Sequence, residues 1–251
     1  MTQVSQPAAG PSALLRGFKL MWRPGIRIYV IIPLIINTLV LGGLLFGFAG
    51  WVDGLVSGWL EWLPGWLDWL RGLMSSLLWI VAIVLFCFGF TLTANLIGAP
   101  FNGFLAERVE QELTGIRPDN GLSIAQDVKL SLITELRKLW YMIWRAAVLG
   151  IISLILMFIM PPAVPVLWAL FSAWFLALEY IDYPASNHGL DFKSKKKLLT
   201  QDRMLSLAFG GSTVILTSIP ILNLFVMPAA VTAATILWTE RLQTTTSGVS
   251  Q

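Results

Sequence analysis

Long stretches without a charged residue dominate the chain. They fall into four runs, at residues 28–52, 72–106, 146–178 and 204–239. A helix that crosses the hydrocarbon core of a bilayer needs about 20 apolar residues. The first run therefore predicts one crossing, and the second predicts a crossing that continues as a helix beyond the membrane.

The third and fourth runs are each interrupted by proline near the middle. Residues 160–165 read Met-Pro-Pro-Ala-Val-Pro, and the fourth run carries Pro220 and Pro228. Each half is too short to cross the membrane alone. We therefore predict two helical hairpins that enter and leave by the same face, with tips buried in protein or lining a cavity. Interrupted segments of this kind also point to a transport site.

The basic residues favour this arrangement. Clusters of Lys and Arg precede the first run, follow the second and separate the third from the fourth. Two crossings followed by two re-entrant hairpins place all of these clusters on one side, as the positive-inside tendency requires. A full crossing by the third run would instead put the cluster at 193–197 outside.

The predicted fold class is an all-α integral membrane protein with a single membrane domain. Its predicted segments are an N-terminal amphipathic segment (1–27), a transmembrane helix (28–52), a Trp-rich interfacial segment (53–71), a long transmembrane helix with a cytoplasmic extension (72–113), a cytoplasmic helix with the first re-entrant hairpin (123–178) and the second re-entrant hairpin (191–239). Tryptophans in 53–71 recur every three or four residues, which predicts an amphipathic helix at the interface. Ser123 and Gln126 predict a capping box at the start of the cytoplasmic helix.

The composition excludes several classes of protein. Hydrophobic residues make up 56% and charged residues 12% of the chain, which is atypical of a water-soluble domain. The net charge of +3 is spread along the chain and predicts no nucleic-acid surface. Because Cys87 and His188 are the sole cysteine and histidine, neither a disulfide nor a metal site is expected. The sequence also lacks phosphate-loop and hydrolase motifs, so we expect no enzyme and no cofactor.

Uncharged polar side chains inside the apolar runs have two interpretations. They are either hydrogen-bonding groups between helices or donors along a route for an oxyanion. The amides of this set are Asn37, Asn95, Asn102 and Asn223.

The segment Arg23-Pro24-Gly25-Ile26-Arg27 directly precedes the first crossing. A glycine, the free N–H groups of a helix start and guanidinium groups together suit a tetrahedral anion. The alternative is that Arg23 and Arg27 contact lipid phosphates and fix the orientation of the chain.

Several short motifs, in this order and spacing, resemble the CysZ family of bacterial inner-membrane sulfate transporters. The resemblance extends over about residues 17–238. The motifs are Pro24-Gly25-Ile26-Arg27, Ala99-Pro100-Phe101-Asn102-Gly103 with Leu105-Ala106-Glu107, Phe171-Ser172-Ala173-Trp174, Asp182-Tyr183-Pro184 with Asn187-His188, and Ile219-Pro220 with Asn223-Leu224-Phe225 and Met227-Pro228.

The resemblance implies a multi-pass inner-membrane homo-oligomer that takes up sulfate for cysteine biosynthesis, in contact with membrane lipid. It also implies two long crossing helices and two hemi-penetrating helix pairs in each subunit. It places sulfate at Gly25, Ile26 and Arg27, and it places Glu107 and Arg108 along the path. Some relatives carry a second arginine where this chain has Ile28, so Arg27 has more of the binding to do.

Three alternatives stay open at this point. Glu107 and Arg108 would also suit a salt-bridged structural pair. A membrane scaffold without transport is the alternative from another functional class, and it predicts no dependence on Arg27. Another oxyanion, such as sulfite or thiosulfate, is the third.

Overall fold

The computed structural model describes residues 6–60 and 64–242, and every regular element in these ranges is helical. The α-helices are α1 (Gln6–Leu20), α2 (Ile28–Leu60), α3 (Asp68–Thr114), α4 (Ile124–Ile159), α5 (Ala163–Ser186), α6 (Phe192–Gln201), α7 (Arg203–Thr217) and α8 (Pro220–Leu237). A 3₁₀ turn, Gly65–Leu67, precedes α3, and a π-helical turn, Trp238–Leu242, follows α8. The predicted all-α class is therefore confirmed.

Within the described ranges, five helical stretches are long and apolar enough to cross a membrane. They are Ile28–Leu60, Gly65–Phe90, Lys129–Ile159, Ala163–Ser186 and Leu222–Leu242. Helix α7, with 15 residues, is about 22 Å long and therefore shorter than a hydrocarbon core of about 30 Å.

The Trp-rich segment differs from its prediction. Helix α2 continues past residue 52 to Leu60, and α3 begins at Asp68, so the described part of 53–71 contains no separate α-helix and only the short 3₁₀ turn Gly65–Leu67. The sequence between Trp51 and Leu60 contains no proline to stop α2, and the first breaker is Pro64. The predicted position of Trp62 lies outside the described residues.

The chain divides into two units, and the smaller one is Ile31–Phe101. In it Phe48 contacts Phe86 and Trp79, with ring centroids 4.5 and 6.0 Å away. A cavity of about 400 Å³ beside these rings has an almost wholly apolar lining. None of the most apolar window of Gly65–Phe90 is buried, so this surface suits contact with lipid or with other protein.

The larger unit is Met1–Val30 with Asn102–Gln251, and it contains the main core. Helices α1, α5, α7 and α8 pack against one another there. Most of the buried residues of α8 are small, including Ala229, Ala230, Ala233 and Ala234. Small residues let helices approach closely in a membrane protein, where lipid reduces the hydrophobic gain from association.

Glycines mark the closest approaches in this core. A Cβ atom on Gly210 of α7 would overlap the Ala173 carbonyl of α5, and one on Gly10 of α1 would overlap the backbone of Phe209. A Cβ on Gly17 would lie 2.6 Å from the Ala229 carbonyl oxygen of α8. These contacts require glycine because the backbone of the neighbouring helix occupies the space of a side chain.

A buried network of charges joins α4, α5 and α6. Lys138 Nζ lies 2.9 Å from Glu135, 3.0 Å from Glu179 and 3.4 Å from Asp182. Lys195 Nζ lies 2.6 Å from the other oxygen of Asp182 and donates to Ser186 Oγ at 2.7 Å. Both lysines are almost fully buried, and each is compensated by carboxylates, as buried charges require.

Candidate anion-binding site

The turn between α1 and α2 is anchored by its apolar side chains. Met21 and Ile26 are fully buried in the core, whereas Arg23 and Arg27 are exposed. Gly25 has a φ of +88°, a conformation that costs other residues free energy but suits glycine. The buried side chains therefore fix the turn on the core, while its backbone and its arginines are exposed on the surface.

The sequence predicted free N–H groups in this turn, but only some of them are free. Those of Ile26 and Arg27 both donate to the Arg23 carbonyl, each at 3.1 Å. Within the described part of the chain, the N–H groups of Gly25 and Ile28 have no acceptor. These two groups lie at the N-terminal, electropositive end of α2 and are available to an anion.

Arg108 of α3 lies against Gly25. Its Nη2 atom is 3.3 Å from the position that a Cβ atom on Gly25 would take. Its Nη1 atom donates to Gln111 Oε1 at 2.7 Å, which fixes the guanidinium in place. The fold thus brings together Gly25 and Arg108, which are far apart in the sequence.

Arg108 also lines an open pocket of about 420 Å³. The lining residues are Tyr29, Phe104, Glu107, Arg108, Gln111 and Arg117. Glu107 forms an ion pair with Arg117 rather than with its neighbour Arg108. With Glu107 neutralised, the lining keeps one uncompensated positive charge and several N–H donors. Its side chains include no serine, cysteine or histidine, so its chemistry suits reversible binding of an anion.

The remaining residues of the predicted binding segment have separate positions. Arg27 is exposed and forms no ion pair within the described ranges, while Arg23 lies 3.9 Å from Glu112. The side chain of Ile26 is in the core, so only its backbone can face an anion.

The predicted path residues are spread over the chain. Asn102 is buried and donates to Tyr183 OH at 3.3 Å, and Asn223 is exposed on α8. Asn37 belongs to the smaller unit, where its buried Oδ1 has no partner among the described residues. The side chain of Asn95 lies outside the described residues.

Sequence reasoning missed three features of this region. Gln111 and Arg117 belong to no recognisable motif. The helix stop at Gly115 was the one sequence signal near Arg117. The third is a buried pair, since Glu110 Oε1 lies 2.8 Å from His188 Nε2 and the His188 ring contacts Trp238. Helix periodicity alone gives no sign that α3 and the end of α5 meet there.

Within the described residues, no group of three or more His, Cys, Asp or Glu side chains is arranged to hold a metal ion.

Comparison with known proteins identifies the family. A profile of the family described as "Sulfate transporter CysZ/Etoposide-induced protein 2.4" matches residues 13–228. Proteins named sulfate transporter CysZ from Salmonella typhimurium, Salmonella enteritidis and Salmonella typhi are each 42% identical over 252 residues, which covers 93% of this chain and 93% of each relative. The chain therefore belongs to the sulfate transporter CysZ/EI24 family.

Proposed function

We propose that this chain is a multi-pass protein of the bacterial inner membrane that takes up sulfate for cysteine biosynthesis. Its family membership and its relatives' names support the substrate, and its five apolar helices support the location. The observation that carries the proposal is the position of Arg108 against Gly25, next to free N–H groups at the start of α2.

Sulfate binds, in this proposal, to the Gly25–Arg27 turn. Its ligands are the Gly25 and Ile28 N–H groups together with the guanidinium groups of Arg27 and Arg108. Charge-assisted hydrogen bonds of this kind are stronger than neutral ones, and they offset the loss of water from the dianion. The chain thus replaces the second arginine of some relatives, which is Ile28 here, with Arg108 from another helix.

Selectivity follows from the donors. Sulfate carries no proton at neutral pH, whereas hydrogen phosphate can donate a hydrogen bond and binds more tightly where the site offers an acceptor. Glu107 is the carboxylate that lines the pocket, and it is already paired with Arg117. Arg117→Gln is therefore expected to free Glu107, weaken sulfate uptake and increase competition by phosphate.

We also propose that the α4–α5 and α7–α8 pairs are re-entrant. The charge network that joins Lys138 to Glu179 and Asp182 belongs at the membrane surface. The charge-free parts of α4 and α5 on either side of the tip at Met160–Pro162 are residues 146–159 and 163–178. They are about 21 and 24 Å long, less than the roughly 30 Å of a full crossing. Helix α7 is equally short. The pairs then enter from one side, while α2 and α3 cross.

Subunit association completes the proposal. The most apolar windows of Ile28–Leu60 and Gly65–Phe90 are 6% and 0% buried within one chain, and lipid and further copies of the chain cover them. Chemical cross-linking in native membranes tests this point, with a monomer at every cross-linker concentration as the contrary result.

The proposed function is tested by radiolabelled sulfate uptake into liposomes that contain the purified protein. Arg27→Ala and Arg108→Gln are each expected to reduce saturable uptake about tenfold or more, since a hydrogen bond to a charged group contributes about 1.5–3 kcal/mol. Lys19→Ala, which removes an exposed cation just before the turn, is the matched control and should leave uptake unchanged.

Two glycine variants distinguish a specific effect at the binding site from a general effect of backbone strain. Gly25→Ala and Gly121→Ala both place alanine at positive φ, but only at Gly25 does the new Cβ approach Arg108. Uptake should fall in the first variant and persist in the second. Equal uptake by wild type, Arg27→Ala and Arg108→Gln would overturn the assignment of the site, and no flux above empty liposomes would favour the membrane scaffold.

A further inference from the structure

A groove between α4 and α6 combines exposed aromatic rings with positive charge. It has a volume of about 510 Å³ and is lined by Leu136, Arg137, Trp140, Tyr141, Trp144 and Phe192. Trp140 and Trp144 are 71% and 61% exposed. Apolar rings exposed to this extent need cover from lipid or protein.

Two cations border the groove at Tyr141. Arg145 Cζ lies 5.3 Å and Lys196 Nζ 5.0 Å from the centroid of the Tyr141 ring. Lys193 and Lys197 of α6 are exposed nearby in the sequence. In the described ranges, none of these four cations forms an ion pair with a carboxylate. Arg137 has a single distant partner, Asp191, at 4.0 Å.

The same two helices carry a second set of cations with the opposite character. Lys138 of α4 and Lys195 of α6 are buried and paired with carboxylates. The closely paired lysines therefore lie inside the protein, whereas Arg145 and Lys196 lie beside the Tyr141 ring of the groove without a carboxylate partner among the described residues. These two cations leave positive charge at the edge of the groove.

We propose that this groove binds an anionic phospholipid. Its phosphate lies at Arg145 and Lys196, the part of the lipid nearest the headgroup contacts Trp140 and Trp144, and its acyl chains extend along the charge-free part of α4 that begins after Arg145. An occupant that brings both negative charge and an apolar chain matches both features of the surface. A second copy of the same face would bring like charges together, so charge complementarity favours the lipid.

The position along α4 agrees with this occupant. The charge-free part of α4 begins directly after Arg145, and Trp and Tyr rings prefer the headgroup level of a bilayer. The groove therefore lies where lipid headgroups lie. Because α6 connects α5 to α7, a lipid bound here contacts the segment that links the two helix pairs.

The test measures lipid binding by the full chain in detergent micelles, by native mass spectrometry with phosphatidylglycerol and with phosphatidylcholine as the probes. Wild type is expected to retain phosphatidylglycerol in preference. The affinity of R145Q/K196Q for phosphatidylglycerol is expected to be about thirtyfold lower than that of wild type, since each cation near an anionic lipid contributes about fivefold. R145K/K196R should keep binding, which separates loss of charge from loss of folding.

A double variant with the same change in net charge is the control. K129Q/R203Q removes two exposed cations that do not line the groove, and it should bind phosphatidylglycerol like wild type. Equal retention of both lipids by wild type, or equal losses in the two double variants, would overturn the proposal. So would dissociation of an oligomer by R145Q/K196Q without any lipid preference, because the groove would then be a subunit interface.

Discussion

The α4–α5 and α7–α8 pairs come from the same sequence pattern, an apolar run interrupted by proline, yet they lie in different surroundings. Only 6% of the most apolar window of Lys129–Ile159 is buried, compared with 61% for Leu222–Leu242. The second pair forms the centre of the core with α1, whereas much of α4 faces outward. Hydropathy alone therefore identifies a membrane segment but does not say whether lipid or protein surrounds it.

The two pairs are also held by different forces. Gly210 of α7 and the alanines of α8 allow close backbone contact with helices outside the pair, α5 and α1 respectively. The α4–α5 pair is held near its base by the charges around Asp182 and near its middle by a hydrogen bond from Trp168 to Ser153 at 3.1 Å. The distribution of small residues, more than apolarity, distinguishes the helices packed in the core, α5, α7 and α8, from α4 at the rim.

The largest expected effect comes from the base of the α4–α5 pair. Asp182→Ala leaves Lys138 and Lys195 buried without their shared carboxylate, and breaking a buried ion pair in this way costs about 3–5 kcal/mol. We expect a large fall in the thermal midpoint of the protein in detergent. Asp68→Ala, which removes an exposed ion pair with Arg71, should cost at most about 1 kcal/mol. Similar losses in the two variants would mean that the charges do not hold the pair.

The close contact of α7 with α5 comes next. Gly210→Ala places a methyl group where the Ala173 carbonyl lies, and overpacking of this kind costs up to about 3 kcal/mol. At Gly211 the nearest atom to a new Cβ is 3.8 Å away, and at Gly150 of α4 nothing lies within 4 Å. Alanine at those two positions should be neutral or stabilising by about 0.5–1 kcal/mol. Three equal thermal midpoints would remove the contrast between core and rim.

Local features of the fold were predictable from the sequence because they depend on neighbouring residues. The capping box of Ser123 and Gln126 is confirmed, with both hydrogen bonds present. Prolines at 161–162 and 220 correctly predicted where α4 ends and where α8 begins. Pro228, which was also expected to interrupt the fourth run, lies inside α8 without ending it. The Trp residues between 53 and 71 do not share one helix among the described residues, because Trp59 lies in α2, Trp66 in the 3₁₀ turn and Trp69 in α3. Their regular spacing gives no sign of these breaks.

The candidate site was predictable only in part. The positive φ of Gly25 follows from the residue type, and the arginines at 23 and 27 are visible in the sequence. The approach of Arg108 to Gly25, and of Arg117 to Glu107, depends on how α3 packs against the α1–α2 turn. No spacing in the sequence encodes that packing. The burial of Lys138, next to the exposed Leu136 and Leu139, could not be predicted from the sequence either.

A smaller effect distinguishes two tryptophans of the α4–α5 pair. Trp168 donates to Ser153, whereas the buried Nε1 of Trp174 has no acceptor among the described residues. Trp168→Phe is expected to cost about 1 kcal/mol, and Trp174→Phe should cost less because no hydrogen bond is lost. The thermal midpoints of the two variants test this order, and the reverse order would mean that the Trp168–Ser153 bond does not stabilise the pair.

The smallest expected effect concerns α6, which links the two pairs. Asp191 caps α6, and the hydrogen bonds that it accepts from Ser194, with the nearby Arg137, hold its pKa below the ordinary value. Its charge therefore stabilises the fold above the ordinary pKa of about 3.9, and this contribution disappears as the pH falls through the lower, folded-state pKa. Asp191→Asn keeps a capping oxygen but has no charge to lose. The wild type should therefore melt slightly higher than the variant at pH 6, and the difference should shrink as the pH falls through the lowered pKa of Asp191, since its side chain then becomes neutral. A difference that does not change as the solution is acidified would show that the charge of Asp191 does not contribute to the link between the pairs.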